Sequence, residues 1–181
     1  MTRDAIPASD TTRPLIAVDP GLDTTGWAVM GPTGEPVAFG RWRVRGATPE
    51  EIGRGLADKL LEEITHHRPS VLAVELQFVD FRVKGPARKG RAEAMLKLAA
   101  LRGALCLAAT WQGLQVVTVN PQQAKAALAF AGCDKAAMVA HANARWGLSL
   151  TPGEADVADA LGIGLAAVRL LAPDRQAAMA L

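Results

Sequence analysis

The run PLIAVDPGLDTTGWAVM, Pro14 to Met30, sets the reading of the whole chain. Pro14 to Asp19 is a short, unbroken apolar segment closing on a carboxylate, the pattern of a buried strand. Pro20-Gly21 makes a turn, and Thr25 to Met30 resumes a strand. The cluster Gly31-Pro32-Thr33-Gly34 turns the chain back into a third strand, Pro36 to Arg45. Its alternation places Arg41, Arg43 and Arg45 on one face and Trp42 and Val44 on the other. Three strands in meander order open the domain.

Further along, Thr48-Pro49-Glu50-Glu51 is a capping box and starts a helix that runs to about His67. Val71 to Glu75 is a fourth strand, and a right-handed crossover through that helix makes it parallel to the first. A basic loop is expected from Val79 to about Lys89, then a helix from Gly90 to Gln112 with Met95, Leu98, Leu101, Leu105 and Ala109 on one face. Gln115 to Val119 is the fifth strand. Asn120-Pro121 caps a helix through Phe130, Asp134 caps another ending near Gly147, and Pro152 precedes a last helix from Gly153 to about Leu171. The order βββαβαβ followed by helices predicts an α/β fold. There is no internal repeat or low-complexity tract.

Length and composition bound the answer. With 181 residues, 50% apolar and 21% charged, the chain suits one globular unit and is neither fibrous nor disordered. The expected division is a disordered extension at 1–13, a single domain at 14–172 and a tail at 173–181. Cys106 and Cys133 sit in apolar helical patterns without zinc or redox spacing, so both read as reduced core residues. Met1 to Arg13 is polar and carries no signal-peptide core, which predicts a cytoplasmic location. The longest apolar run, Ala160 to Val168, is short of a bilayer span, so no membrane contact is expected. His66, His67 and His141 are scattered and read as surface or helix-end residues.

The net charge of +2 is unevenly spread. Arg82, Lys84, Arg88, Lys89, Arg91, Lys97 and Arg102 stand in one stretch against the single acid Glu93, a candidate phosphate-binding surface. A solvated helix and loop face is the plain alternative.

Four acids carry the chemistry. Asp19 and Glu75 end the first and fourth strands, and parallel pairing of those strands brings both carboxylates to the carboxyl edge of the sheet, where α/β sheets place their sites. Asp156 and Asp159 are three residues apart at the start of the last helix and share one face. Asp156 alone also reads as a complement to the helix dipole, whereas Asp159 lies among Val157, Ala158, Ala160 and Leu161, residues of a core. Converging carboxylates suit hard divalent cations, above all magnesium. Two such ions about 4 Å apart activate water and stabilise the leaving oxygen of a phosphodiester. The reaction class that follows is phosphodiester hydrolysis.

Ile16-Ala17-Val18-Asp19-Pro20-Gly21, Thr25-Gly26-Trp27, Ala73-Val74-Glu75 and Ala155-Asp156-Val157-Ala158-Asp159-Ala160-Leu161, in this order from about residue 15 to 168, resemble the RuvC family of Holliday-junction resolvases. The resemblance implies a ribonuclease-H-like fold with a five-stranded mixed sheet, three strands in a meander plus two parallel ones, flanked by helices. It implies a homodimer that nicks opposed strands of a four-way junction, with Asp19, Glu75, Asp156 and Asp159 binding Mg2+, for which Mn2+ substitutes, as two ions per site. Lys125 and Lys135 fall where the family carries basic residues near the scissile phosphate, although Lys135 also fits an exposed helix lysine beside the cap Asp134. Phe78 falls where the family places an aromatic residue at the junction centre; a core phenylalanine is the alternative. Together with Phe78, the basic residues Arg82, Lys84, Arg88, Lys89 and Arg91 form the expected DNA-binding set. The helix from Gly90 to Gln112 corresponds to the region of the family's dimer contacts. One departure is a longer, more basic segment, Lys84-Gly85-Pro86-Ala87-Arg88-Lys89-Gly90, which suggests a phage-type or divergent member and leaves cleavage preference and dependence on branch-migration proteins open.

Other functions fit parts of the pattern. The same fold and metals serve a nuclease of forks, flaps or RNA-containing hybrids. A non-catalytic branched-DNA-binding module leaves four acids facing phosphates, which without metal would repel DNA. An actin-like phosphotransferase is suggested by Asp19-Pro20-Gly21 with Thr24-Thr25, but it needs two such domains and the chain has room for one.

Overall fold

A computed structural model describes residues 12–76 and 86–179, with backbone alone at 86–89, 91 and 173–179. β1 (Leu15–Asp19), β2 (Thr25–Met30) and β3 (Pro36–Trp42) form the antiparallel meander. β4 (Val71–Glu75) pairs in parallel with β1, and β5 (Gln115–Val119) in parallel with β4. The five-stranded mixed sheet has the order β3-β2-β1-β4-β5, with the expected meander and the expected parallel pairing of β4 with β1, and with β5 outside β4. β3 stops at Trp42 and not at Arg45, because its partner Thr25 is the first residue of β2 and the ladder offers Arg43 nothing further.

The helices are α1 (Pro49–His67), α2 (Pro86–Trp111), α3 (Pro121–Leu128), α4 (Lys135–Trp146) and α5 (Ala155–Met179), with a 3-10 turn at Pro152–Glu154 before α5. The predicted caps form: Thr48 accepts from the Glu51 amide, Asn120 from Gln122 and Asp134 from Ala137. Three boundaries differ from expectation. Pro86 to Lys89 are helical where a loop was expected, since proline is pre-organised for the first helical position and has no amide to satisfy there. α3 ends at Leu128, because Ala129 leaves helical geometry at φ −130° and ψ −99°. α5 passes Leu171 and runs on to Met179, across Pro173, which disfavours a helix interior, into Arg175-Gln176-Ala177-Ala178-Met179, all strong helix formers. Arg13 is pinned by hydrogen bonds from Nε to the Arg68 carbonyl, 2.8 Å, and from Nη2 to that of Pro69, 3.3 Å. Residues 1–11 of the expected N-terminal extension lie outside the described residues.

Strand alternation divides the core between the two faces of the sheet. Ile16, Val18 and Leu72 point to one face and pack with Leu56 and Leu60 of α1 and Leu101 and Leu105 of α2. Leu15, Ala17, Val71 and Ala73 point to the other, which α3, α4 and α5 cover with Leu128, Met138, Leu161 and Ile163. Burial of each such large aliphatic side chain contributes about 1.5–3 kcal/mol.

Within α2, Ala92–Trp111 is long and apolar enough to cross a membrane by length and composition, a stretch missed by counting unbroken apolar runs because Lys97 and Arg102 interrupt it. In the fold, one side of this stretch packs on α1 and the sheet.

Candidate active site

The parallel register sets Val18 beside Val74, so Asp19 and Glu75 end adjacent strands at one sheet edge. Alternation then decides which way they face. Asp19 shares the side of Leu15 and Ala17, and Glu75 that of Val71 and Ala73, the side on which α5 lies. The first turn of α5 brings Asp156 and Asp159 there, and one oxygen each from Asp19, Asp156 and Asp159 lie within 4.8 Å of one another.

Two small residues make this approach feasible. A Cβ on Gly21 would fall 2.0 Å from the Thr24 carbonyl oxygen, so the turn after Asp19 closes only on glycine. The need is close packing rather than an unusual φ. The Gly21 amide donates to Thr25 Oγ1 at 3.3 Å, and this threonine is buried. Gly26, the pairing partner of Asp19, lies directly against the main chain of Asp156. On β3, Arg41 Nη1 donates to the Gly153 carbonyl and ties the sheet to the turn that leads into α5. Sequence reasoning gave neither Gly26 nor Arg41 a part in the site; the Thr25-Gly26 pair at a strand start was the available signal for the first, and nothing local marked the second.

The electrostatics follow from crowding. Burial, then the charges of Glu75, Asp159 and Asp156, push the Asp19 carboxyl well above the usual range, with Lys135 opposing. Burial and Asp159 push Glu75 up to about 7, against Lys125 and Lys135. Asp159 is also raised, by burial first, with Lys135 pulling down and Asp156 pushing up. Lys135 answers this charge: its Nζ stands 3.4 Å from Asp156 Oδ1 and 3.7 Å from Asp159 Oδ2. Burial lowers its pKa, but Asp159 and Asp156 outweigh that and hold it raised. Lys125 Nζ donates to the Cys133 carbonyl at 2.7 Å, which fixes the ammonium and braces the link between α3 and α4.

All six residues expected to be catalytic therefore gather at one edge of the sheet. The expected DNA-binding residues do not enter this picture. Phe78, Arg82 and Lys84 lie outside the described residues, and Arg88, Lys89 and Arg91 are on the first turns of α2 with only their backbone described. The two cysteines are free, and Cys133 is buried as expected. His67 faces Glu63 at 3.4 Å and His141 meets Phe130 edge-on.

The donor set fits a divalent metal. Carboxylates this close cannot all ionise cheaply without a cation, and hard oxygen donors on two strand ends and one helix are what magnesium-like ions take. Asp19, Asp156 and Asp159 would hold it, with Glu75 beside them; the chemistry it brings to such a site is activation of water and stabilisation of a leaving oxygen.

Comparison with known proteins agrees with this geometry. The family model for crossover junction endodeoxyribonuclease RuvC matches residues 15–167. The RuvC of Rubrobacter xylanophilus is 31% identical over 165 residues, covering 87% of this chain and 86% of that protein. The RuvC of Halorhodospira halophila is 33% identical over 157 residues, covering 83% and 87%. Among solved structures, Thermus thermophilus RuvC in complex with Holliday junction substrate superimposes with a TM-score of 0.69 at 25% identity, over 87% of this chain and 94% of that one. The yeast mitochondrial Holliday junction resolvase shares the fold, with a TM-score of 0.62 at 12% identity over 89% and 80%. With its strand-end acids, its helix-borne pair and a family match that spans the whole sheet and the first half of α5, the chain belongs to the RuvC family of crossover junction endodeoxyribonucleases.

Proposed function

We propose that this chain resolves Holliday junctions, hydrolysing one phosphodiester in each of two opposed strands. The observation that carries the reading is the meeting of Asp19, Asp156 and Asp159 within 4.8 Å, with Glu75 on the neighbouring strand. These four residues bind the metal: magnesium, with manganese as substitute, and two ions per site. Lys135 and Lys125 place ammonium groups beside the carboxylates, where they stabilise charge that develops on the phosphate. Residues 14–172 act as one nuclease domain. Phe78 stacks on exposed bases, and Arg82, Lys84, Arg88, Lys89 and Arg91 contact the DNA backbone.

Cutting two strands needs two such sites, so the working form is a homodimer acting in the cytoplasm. Its support is an apolar stripe along the outer side of α2. Leu96 is 72% exposed, Leu107 51% and Trp111 78%, and exposed Gly103 has open space where a side chain would lie. Spacings of seven, four and four residues keep these positions on one face. The opposite face is buried, as suits a protein partner rather than a lipid surface all round.

The test is a nicking assay on mobile and fixed four-way junctions in magnesium, mapped to the nucleotide. Wild type should cut symmetrically, while Asp19→Asn should bind without cutting. Retained cleavage in Asp19→Asn would remove the proposed site, and equal cutting of forks and flaps would widen the substrate to branched DNA in general.

A further inference from the structure

We propose that a cleft between the turn after Asp19 and the end of β3 seats backbone phosphates of the strand being cut, with Arg43 and Arg45 as the phosphate contacts. The inference rests on the nuclease reading above and adds a second contact region to it. The cleft, about 600 Å3, is lined by Leu22, Asp23, Thr24, Arg43, Arg45 and Ile52. Its place follows from the register. Asp19 pairs with Gly26 of β2, and Thr25 of β2 pairs with Trp42 of β3, so the chain leaves β3 at Arg43 on the same sheet edge as the carboxylates, two strands away. Two strand spacings are roughly 10 Å. Successive phosphates of one DNA strand advance about 3.4 Å along the axis, which puts the cleft within about three nucleotides of the cut.

The charges suit that occupant. Both arginines are exposed, and among the described residues neither is in an ion pair, whereas Arg41, within β3 itself, is held by the Gly153 carbonyl. Asp23 is the one acid of the lining, so the cleft keeps net positive charge beside a strongly acidic centre. Planar guanidinium forks match phosphate oxygens in pairs. A strand that reaches the acids must cross their negative field, and a cationic cleft alongside offsets that repulsion.

The experiment uses the full chain and four-way junctions carrying a single uncharged methylphosphonate at each of the four phosphates on either side of the cut. Single-turnover cleavage is measured against protein and salt concentration for wild type, Arg43→Ala/Arg45→Ala, and a charge-matched control, Lys59→Ala/Arg169→Ala. Two lost contacts should make the log–log salt slope shallower by about 1.8, at about 0.9 per phosphate, and raise half-saturation at least tenfold, with the control within twofold of wild type. One methylphosphonate within about three nucleotides of the cut should weaken wild type and add nothing to the double arginine variant. Multiplying effects at every phosphate, or a salt slope equal to that of the control, would overturn the cleft. A wild type that cuts no junction would overturn the nuclease reading, and the cleft with it, so the two failures are told apart.

Discussion

Gly26 of β2 has no side chain where the main chain of Asp156 passes: a Cβ there would fall 1.9 Å from the Asp156 carbonyl oxygen. Because that contact is backbone, no side-chain rotation relieves it. The first turn of α5 rests on β2 at this point, and the positions of Asp156 and Asp159 depend on it.

Gly26→Ala should therefore push the start of α5 away from the sheet. Overpacking of this kind costs about 1–3 kcal/mol, and a carboxylate displaced by about 1 Å costs on the order of 100-fold in rate. Denaturant unfolding and single-turnover cleavage measure the two effects. Wild-type cleavage in this variant would show that the approach of α5 is not what sets the site.

The crowded acids make metal-free stability depend on pH. Glu75 titrates at about 7 in the folded protein against 4.5 ordinarily, and Asp19 and Asp159 are shifted the same way. Folding thus retains protons that the unfolded chain releases, so the stabilisation is whole below the unfolded value of 4.5 and is lost as pH rises through about 7. In EDTA the Tm should fall from pH 5 to pH 8, and millimolar magnesium should restore it at pH 8 far more than at pH 5. Glu75→Gln should flatten the dependence, raise metal-free stability at pH 8 by about 1–3 kcal/mol and weaken the magnesium effect. A Tm that climbs from pH 5 to pH 8 in EDTA would contradict this account.

Lys135 Nζ stands 3.4 Å from Asp156 and 3.7 Å from Asp159, and the proposed reaction has it face the phosphate once these acids hold metal. Lys135→Ala should lower the cleavage rate roughly 10²- to 10³-fold, the scale of losing one charged stabiliser, without weakening metal binding, since a competing cation is removed. Rates over a magnesium titration separate the two. An unchanged maximal rate would reduce Lys135 to a surface lysine.

Leu107→Glu places a charge in the exposed stripe of α2 and should give a monomer by light scattering, with the fold intact by circular dichroism. On a cruciform plasmid the monomer should leave nicked circles where wild type gives linear DNA. A dimer that survives this change would move the interface elsewhere.

The order of strands, the helix caps and the four acids were legible in the chain because each depends on neighbours a few residues away. Leu15 to Asp19 reads as a buried strand from its apolar run, and Thr48, Asn120 and Asp134 cap helices through bonds spanning two or three residues. The boundaries at Arg43, Pro86 and Met179 were less legible, since a strand ends where its partner ends and a helix runs on while packing and propensity allow.

What the sequence by itself determined is which groups this protein carries: two acids at strand ends, two on one helix face, and the lysines near them. Only the tertiary structure decided that they meet. Pairing of β1 with β4 set Asp19 beside Glu75, the bare backbone of Gly26 let α5 close on the sheet, and the end of β3 left Arg43 and Arg45 at the same edge. Those contacts join residues from 21 positions apart (Leu22 and Arg43) to 130 (Gly26 and Asp156), beyond the reach of a local pattern; they arise because burying both faces of one sheet leaves the chain few other ways to pack.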